Sequence, residues 1–196
     1  MEKEKILDLF KMTGALQQGH FKLSSGLHSA EYFQCARVLQ HPQYNELLCG
    51  EIARYFHDWR IEVVVAPAIG GIMVGQEVAR QMRVRGIFAE REGAMMMLRR
   101  GFEVKKGERV LVCEDVVTTG GSVLETIDLI KWAGGTVVGV AAIVDRSSAP
   151  INFAASFFHL LKMSVPTFKP EQCPLCKDNV PIEKPGSRKQ DAPQAS

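Results

Sequence analysis

One segment of the chain carries the pattern on which the whole fold is built, Val110-Leu111-Val112-Cys113-Glu114-Asp115-Val116-Val117-Thr118-Thr119-Gly120-Gly121-Ser122. Its apolar start predicts a buried strand. Two adjacent carboxylates follow, then a turn rich in hydroxyls and glycine, then a stretch that predicts a helix as far as about Trp132. In open α/β sheets, ligands bind beyond the carboxyl ends of the strands, so this segment also predicts a ligand site.

Similar patterns of strand, turn and helix lie on both sides of this segment. Apolar, β-branched runs predict strands at residues 61–67, 86–90 and 136–144, and a helical pattern that ends near Met82 separates the first two. Strands that are continuous apolar runs and alternate with helices indicate a parallel sheet that is covered on both faces. The predicted fold class is therefore α/β, with a doubly wound, mainly parallel sheet and helices on both faces, over about residues 42–146.

The remaining segments are predicted as additions to this core. A short helix followed by strands and turns forms a small N-terminal hood, about residues 1–41, and the whole domain spans residues 1–150. Residues 92–108 interrupt the alternation and predict either a hairpin or a mobile flap. A proline-rich segment with a cysteine pair follows at residues 151–183, and a polar, loosely ordered tail is expected at residues 184–196.

Composition limits the classes of function. With 24 basic and 22 acidic residues the net charge is +2, which gives no support to nucleic-acid or membrane-surface binding. The N-terminal stretch is charged and amphipathic and does not resemble a secretory signal. The five cysteines are an odd number, which together with that start favours a reducing compartment. We therefore expect a cytoplasmic protein.

The carboxylate pair and the turn after it point to a particular chemistry. Backbone N–H groups at a helix N-terminus form an anion site, and glycine allows a phosphate to approach closely. Carboxylates beside such a site are suited to binding sugar hydroxyls. Taken separately, an acidic pair at a strand end is usually solvated, and this kind of turn is usually only a turn. No G-x-x-x-x-G-K-[ST] or G-x-G-x-x-G motif follows a strand, which argues against a P-loop NTPase and a dinucleotide dehydrogenase.

This segment resembles the phosphoribosyl pyrophosphate motif of the type I phosphoribosyltransferases. The family usually has two aspartates here, and in this chain Glu114 stands in place of the first. The resemblance implies that Glu114 and Asp115 are the catalytic pair and bind the ribose 2- and 3-hydroxyls. It implies that the 5-phosphate is held by the turn, which consists of Val116, Val117, Thr118, Thr119, Gly120, Gly121 and Ser122.

Two further segments resemble the orotate phosphoribosyltransferase branch of that family. Residues 19–33, which include His20-Phe21-Lys22 and Tyr32-Phe33, resemble its hood over the substrate. Ser24 stands in this hood where better-known members carry a lysine, and it is assigned to the orotate site with Thr118. Arg146, in Val144-Asp145-Arg146, matches the arginine that pairs with the orotate carboxylate, and a guanidinium group fits a planar carboxylate in a bidentate manner.

Two loops are implied to contact the phosphates. The turn Pro67-Ala68-Ile69-Gly70-Gly71 resembles the family's pyrophosphate loop, in which the backbone amides of Ala68, Ile69 and Gly70 face the leaving group. Arg91 matches a basic position of the family's flexible loop and is the predicted phosphate ligand there. Arg99 and Arg100 are further candidates. The loop is less basic than in better-known members.

The resemblance implies transfer of phosphoribosyl from phosphoribosyl pyrophosphate to orotate, giving orotidine 5′-monophosphate in pyrimidine biosynthesis. Mg²⁺ is expected to bind with the pyrophosphate, and no side chain is assigned as its direct ligand. A homodimer is implied, and neither nucleic acid nor a membrane is expected as a partner. Two alternatives remain open, namely a type I phosphoribosyltransferase that acts on a purine, and a non-catalytic regulator that senses phosphoribosyl pyrophosphate.

The C-terminal segment contains a C-x-x-C pair, Cys173 and Cys176. A structural zinc site needs two more ligands, which His159 or a second subunit could supply. Unliganded thiols and a redox pair are the other interpretations. A redox pair is expected near the start of a βαβ unit, and this pair does not lie there.

Overall fold

A computed structural model describes residues 1–23, 25–163 and 165–185. The chain divides into two compact units. The larger unit contains residues 1–15 and 35–164, and the smaller contains residues 16–34 and the chain from residue 165. Ser24 and most of the predicted tail at residues 184–196 lie outside the described residues.

Helices and strands follow one another along the chain in the following order: α1 (Lys3–Met12), β1 (Leu16–Lys22), β2 (His28–Phe33), α2 (Ala36–Leu39), α3 (Pro42–Tyr55), a 3₁₀ turn (His57–Trp59), β3 (Val63–Pro67), α4 (Gly71–Met82), β4 (Arg85–Glu92), β5 (Met95–Leu98), β6 (Arg109–Val117), α5 (Gly121–Trp132), β7 (Thr136–Asp145), β8 (Ser156–Lys162), β9 (Thr167–Phe168), a second 3₁₀ turn (Pro170–Gln172) and α6 (Pro174–Lys177).

A six-stranded sheet in the order β5-β4-β3-β6-β7-β8 forms the centre of the larger unit. Strands β4, β3, β6, β7 and β8 are parallel, and β5 pairs antiparallel with β4 at one edge. Strands β3 and β6 are neighbours at the centre, with β4 and β5 added on one side and β7 and β8 on the other. This confirms the predicted doubly wound, mainly parallel α/β fold.

Both faces of the sheet are covered, as the continuous apolar strands predicted. Val63 and Val65 belong to the core on the face that packs against Val123 and Ile127 of α5. The next residue along β3, Val64, points to the opposite face, where α4 packs against β3. Within the described residues, no helix is both long and apolar enough to cross a membrane.

The sheet extends further along the chain than the sequence indicated. We predicted the end of the core near residue 146 and a domain boundary at residue 150, but β8 continues the sheet by pairing in parallel with β7 from Ser156 onward. Phe153, which is buried, belongs to the core on the α5 face. The prolines around this strand obscured it, although its run Phe157-Phe158-His159-Leu160-Leu161 has the composition of a strand.

The predicted hood over residues 1–41 also differs from the observed division. Helices α1 and α2 belong to the larger unit, and residues 16–34 belong to the smaller one. In the smaller unit, β1 and β2 form an antiparallel hairpin, and β9 extends it with His28 opposite Phe168. Phe21 forms a single parallel bridge with Glu183. The smaller unit is therefore assembled from two segments that are far apart in sequence.

Residues 92–108 begin as a hairpin, which agrees with one of the two interpretations of this region. Strand β5 pairs with β4, so that Glu92 lies opposite Met95 and Ala89 lies opposite Leu98. Arg100 and Gly101 follow with positive φ angles of 60° and 75°, so the chain turns sharply after the hairpin.

Candidate functional site

The two carboxylates lie near the carboxyl end of β6, in the larger unit. The Glu114 side chain is buried and Asp115 is partly buried. Asp115 accepts a hydrogen bond from the backbone N–H of Val116 at 2.7 Å, and the Asp115 N–H donates to Oε1 of Glu114 at 3.1 Å. The local backbone thus fixes both carboxylates beside one another.

The electrostatic state of this pair is unusual for carboxylates. Burial raises the pKa of Glu114 well above its ordinary value, and the neighbouring charge of Asp115 raises it further. Burial also raises the pKa of Asp115, although hydrogen bonds to Glu114 and to backbone N–H groups oppose that shift. Two ionised carboxylates at this position are therefore poorly stabilised by the protein alone and would gain from a bound cation or from hydroxyl donors.

The turn after β6 leads directly into the N-terminus of α5. Thr118 and Thr119 are exposed, and Gly120 adopts φ 76°, a left-handed conformation that glycine accommodates without strain. Helix α5 begins at Gly121. The first N–H groups of a helix have no acceptor within the helix, so this turn presents donors to an anion.

The β3–α4 turn meets the carboxylates directly. A Cβ atom on Gly70 would lie 2.7 Å from both carboxylate oxygens of Asp115, and one on Gly71 would lie 3.0 Å from Oε1 of Glu114. Both glycines therefore leave space that the carboxylates occupy. The Ala68 N–H donates to Ala89 O at 2.7 Å, and the Ile69 side chain is 79% exposed. This turn and the carboxylate pair form one site.

Arg146 lies at the end of the neighbouring strand. Val117 and Asp145 are paired across β6 and β7, and the Arg146 N–H donates to Val117 O at 2.7 Å. Arg146 is partly buried. The arginine that the sequence assigned to orotate therefore lies beside the β6–α5 turn, residues 117–122, although at least 24 positions of sequence separate Arg146 from that turn.

A lysine that the sequence analysis missed holds this strand end in place. Lys162 Nζ donates to Asp145 Oδ2 at 2.7 Å and to the carbonyl and hydroxyl oxygens of Ser147, both at 2.8 Å. Burial alone would raise the pKa of Asp145, but hydrogen bonds from Lys162 and Ser147 outweigh it and lower that pKa. Lys162 thus bridges the residues on either side of Arg146. Its position on the unrecognised strand β8 concealed it.

The three arginines predicted as candidate phosphate ligands pair with acidic side chains. Arg91 forms an ion pair with Glu125 of α5 at 2.6 Å. Arg100 makes two hydrogen bonds of 3.1 Å to Glu90, and Arg99 lies 3.7 Å from Glu92. Arg91 therefore contacts α5, the helix that follows the β6–α5 turn, and its ion-pair partner is the Glu125 carboxylate. Ser24, the other predicted orotate ligand, lies outside the described residues.

The cysteine pair lies in the smaller unit with two histidines. One donor atom from each of His20, His28, Cys173 and Cys176 lies within 4.8 Å of the others. His159, considered above as a partner of these cysteines, lies on β8 in the larger unit, 3.6 Å from Asp145. The sequence hypothesis for its role is wrong, because β8 belongs to the central sheet. The two histidines were assigned to the hood, and their spacing in the hairpin gave no recognisable metal motif.

Comparison with known proteins agrees with this geometry. Residues 37–169 match the family described as the phosphoribosyl transferase domain. The chain is 55% identical over 189 residues to orotate phosphoribosyltransferase from Caldanaerobacter subterraneus, which covers 96% of this chain and 100% of that protein. It is also 55% identical over 188 residues to orotate phosphoribosyltransferase from Chlorobaculum parvum, covering 96% and 97% of the two chains.

The similarity extends to solved structures. The crystal structure of orotate phosphoribosyltransferase from Aeropyrum pernix superposes with a TM-score of 0.72, covering 81% of this chain and 93% of that one. At 24% identity this match supports the fold. The family match and the near-complete alignment to relatives of 55% identity also establish the family. This chain belongs to the phosphoribosyltransferase family and, within it, to the orotate phosphoribosyltransferases.

Proposed function

We propose that this protein transfers phosphoribosyl from phosphoribosyl pyrophosphate to orotate and so produces orotidine 5′-monophosphate and pyrophosphate for pyrimidine biosynthesis. The observation that supports the proposal is that Glu114, Asp115 and Arg146 lie at neighbouring strand ends beside the turn between β6 and α5. Relatives that are 55% identical over nearly the whole chain carry the name of this activity.

In the reaction, the bond between ribose C1 and the pyrophosphate oxygen breaks, and its electron pair leaves on pyrophosphate. A ring nitrogen of orotate forms the new bond to C1 and releases its proton. Positive charge develops on the ribose as the leaving group departs. The protein contributes mainly by positioning the two reactants and by stabilising these charges.

Glu114 and Asp115 are assigned to the ribose 2- and 3-hydroxyls. Ionised carboxylates accept short, strong hydrogen bonds from hydroxyl groups. Because burial raises the pKa values of both groups, such donors would favour their ionised forms. Glu114 is one methylene longer than the usual family aspartate, and the absence of a Cβ on Gly71 leaves the space in which its carboxylate lies.

The phosphates are assigned to the two glycine-containing turns. The 5-phosphate would bind the N–H groups of residues 117–122 at the start of α5. The pyrophosphate would bind at the turn of Ala68, Ile69 and Gly70 through the N–H groups of Ile69 and Gly70, because the Ala68 N–H already donates to Ala89 O. Arg91 remains a candidate phosphate ligand, in which case it would exchange Glu125 for phosphate when substrate binds. Two turns of neutral amides explain how a chain with a net charge of only +2 could bind so anionic a substrate.

Magnesium fits the chemistry of this site. Glu114 and Asp115 could hold Mg²⁺ through its water shell, and a cation there would offset the burial that raises the pKa values of both carboxyl groups. When bound, the ion supplies positive charge that offsets the charge on the departing pyrophosphate.

Orotate is assigned to Arg146 and Thr118. A guanidinium group forms paired hydrogen bonds with a carboxylate, and orotate carries a carboxylate that purine bases lack. Thr118 is exposed in the β6–α5 turn. It follows Val117, whose carbonyl oxygen accepts a hydrogen bond from the Arg146 N–H. Ser24 remains a proposed orotate ligand by resemblance.

A homodimer is part of the proposal, because in this family the flexible loop closes partly across a dimer. The β4–β5 hairpin is short, and its tip at Gly93 and Ala94 is exposed. Light scattering of the purified protein at micromolar concentration tests this point. A mass of one chain under all conditions would contradict it.

Pyrophosphate release tests the function. The protein is incubated with phosphoribosyl pyrophosphate and Mg²⁺, and with orotate, adenine, hypoxanthine or no base. We expect release with orotate alone. Release with a purine and not with orotate would support the purine alternative. Binding of phosphoribosyl pyrophosphate with no release for any base would support the regulatory alternative.

A further inference from the structure

We propose that His20, His28, Cys173 and Cys176 form a structural zinc site in the smaller unit. The proposal does not rest on the transferase activity, because the carboxylates and turns assigned to phosphoribosyl pyrophosphate lie in the larger unit. It rests on the distances between the four donor atoms, on the hydrogen bonding of one histidine, and on the composition of the unit's interior.

The four donor atoms lie within 4.8 Å of one another, and four of their six separations are near those of a tetrahedral site. His20 Nε2 lies 2.9 Å from His28 Nδ1, 3.5 Å from Cys173 Sγ and 3.7 Å from Cys176 Sγ. Cys176 Sγ lies 3.2 Å from His28 Nδ1. Around one Zn²⁺ with its usual bond lengths, ligand atoms are separated by about 3.3–3.8 Å. Small movements would therefore convert the observed cluster into a coordination sphere.

The second nitrogen of His20 supports the same conclusion. His20 Nδ1 lies 2.8 Å from the carbonyl oxygen of Val180. A carbonyl only accepts hydrogen bonds, so Nδ1 carries the proton and Nε2 presents a lone pair to the cluster. Histidines that bind metals commonly donate their other N–H to a backbone carbonyl, which fixes the ring orientation.

The backbone around the cysteines forms a compact turn. The Lys177 N–H donates to Cys173 O at 3.3 Å, and the Val180 N–H donates to Leu175 O at 3.0 Å. Asn179 adopts φ 54° between these residues. The chain reverses immediately after Cys176, which brings the Val180 carbonyl to His20. One turn therefore supplies both thiols and the hydrogen-bond acceptor that orients a histidine.

The interior of the smaller unit needs such a site. Its buried side chains among the described residues are His20, Phe21, His28, Ser29, Phe33 and Cys173. Half of these are proposed ligands. A unit of roughly 50 residues rarely builds a sufficient apolar core, and small units commonly rely on disulfides or metals.

The donor set selects zinc and a structural role. Two thiolates and two imidazoles in tetrahedral geometry suit Zn²⁺, and the two thiolate charges neutralise the ion in a buried place. With four protein ligands, no position remains open for water or substrate, so the site stabilises structure. Held by hydrogen bonds alone, the cluster would have one strong contact, between His20 and His28, and its other contacts would depend on thiols, which are weak donors.

Elemental analysis of the full-length, untagged protein tests the proposal. Produced with zinc present, it should contain about one zinc ion per chain. Cys176→Ser and His28→Ala should each lower that ratio at least fivefold. Cys49→Ser and His57→Asn are matched controls and should keep it. Cys49 lies in the larger unit, where a serine can also donate to Asn45 Oδ1, and His57 is 82% exposed.

Two measurements on the wild-type chain remain decisive if a variant fails to fold. Cobalt exchanged for zinc should give the visible absorption of tetrahedral Co²⁺ with thiolate-to-cobalt charge transfer. After chelation and denaturation without reductant, all five thiols should react. Zinc below a tenth of the chain concentration, iron in its place, octahedral cobalt, or a deficit of two thiols from a Cys173–Cys176 disulfide would overturn the proposal.

Discussion

The two units of this molecule bury polar side chains for different reasons. In the larger unit, a parallel sheet with two covered faces provides stability, and burial of the carboxylate Glu114 raises its pKa, a cost that the proposed ligand would offset. In the smaller unit, little apolar surface is buried, and His20, His28 and Cys173 form much of the interior. We therefore infer that a buried polar group serves ligand binding in the unit with the large core and, through the proposed zinc site, serves folding in the unit with the small core.

The largest expected effect separates the role proposed for the carboxylates of the larger unit from the zinc site proposed in the smaller one. Asp115→Asn removes a carboxylate assigned to the ribose, and we expect turnover to fall by about 10²-fold or more, as for loss of one transition-state contact. Zinc content should not change. Initial rates of orotidine monophosphate formation measure this. Asp58→Asn, whose side chain is 94% exposed, is the control and should retain full activity. Unchanged turnover in folded Asp115→Asn would contradict the assignment.

A second variant tests how the larger unit orients Arg146, the arginine assigned to orotate. Lys162→Met removes the three hydrogen bonds to Asp145 and Ser147 that hold the backbone on both sides of Arg146. We expect KM for orotate to rise roughly tenfold, with a smaller change in KM for phosphoribosyl pyrophosphate. Lys162→Arg should restore most of the affinity because it keeps a charged donor. Equal changes in both KM values would indicate a general structural role.

The smallest expected effects are changes in the melting temperature, Tm. Glu114→Gln in the larger unit should raise the Tm, and Cys173→Ser in the smaller unit should lower it. Burial raises the pKa of Glu114 in the folded chain above its ordinary value of 4.5. The free energy of unfolding therefore falls as the pH rises above 4.5, because the unfolded chain ionises this group more easily. Glu114→Gln removes that cost. At neutral pH and without ligand, its Tm should rise by about 2–4 °C, the shift expected for 1 kcal/mol in a chain of this size.

The same variant should lose activity, and its Tm advantage should vanish below about pH 4.5, where the wild-type carboxyl is protonated in both states. By contrast, Cys173→Ser in the smaller unit should lower the Tm. Calorimetry at pH 4 and pH 7 measures both changes. A Glu114→Gln variant with a lower Tm than wild type at pH 7 would contradict the idea that this group is kept for ligand binding.

Sequence alone predicted the larger unit well because its signals are local. The strand before Glu114, the carboxylate pair and the turn that ends at Ser122 are contiguous, and the periodicity of each strand and helix is visible within a short window. The hypothesis that Arg146 joins this site needed the family resemblance, since adjacency of β6 and β7 is a property of the sheet.

The smaller unit could not be predicted in the same way, because it is assembled from distant segments. His20 and Cys173 are 153 positions apart, and no local pattern links them. Lys162 was missed for a related reason, since strand β8 lies among prolines and its partner Asp145 belongs to another strand. The contact between Gly70 and Asp115 also depends on tertiary packing and has no signal in the sequence.

Hydrogen exchange of backbone amides with and without phosphoribosyl pyrophosphate and Mg²⁺ tests the central claim most directly. If the two turns of the larger unit hold the substrate, exchange should slow in peptides that cover residues 68–71 and 114–122. Peptides that cover residues 173–180 should change much less. Unchanged exchange in both turns at a saturating substrate concentration would contradict the account.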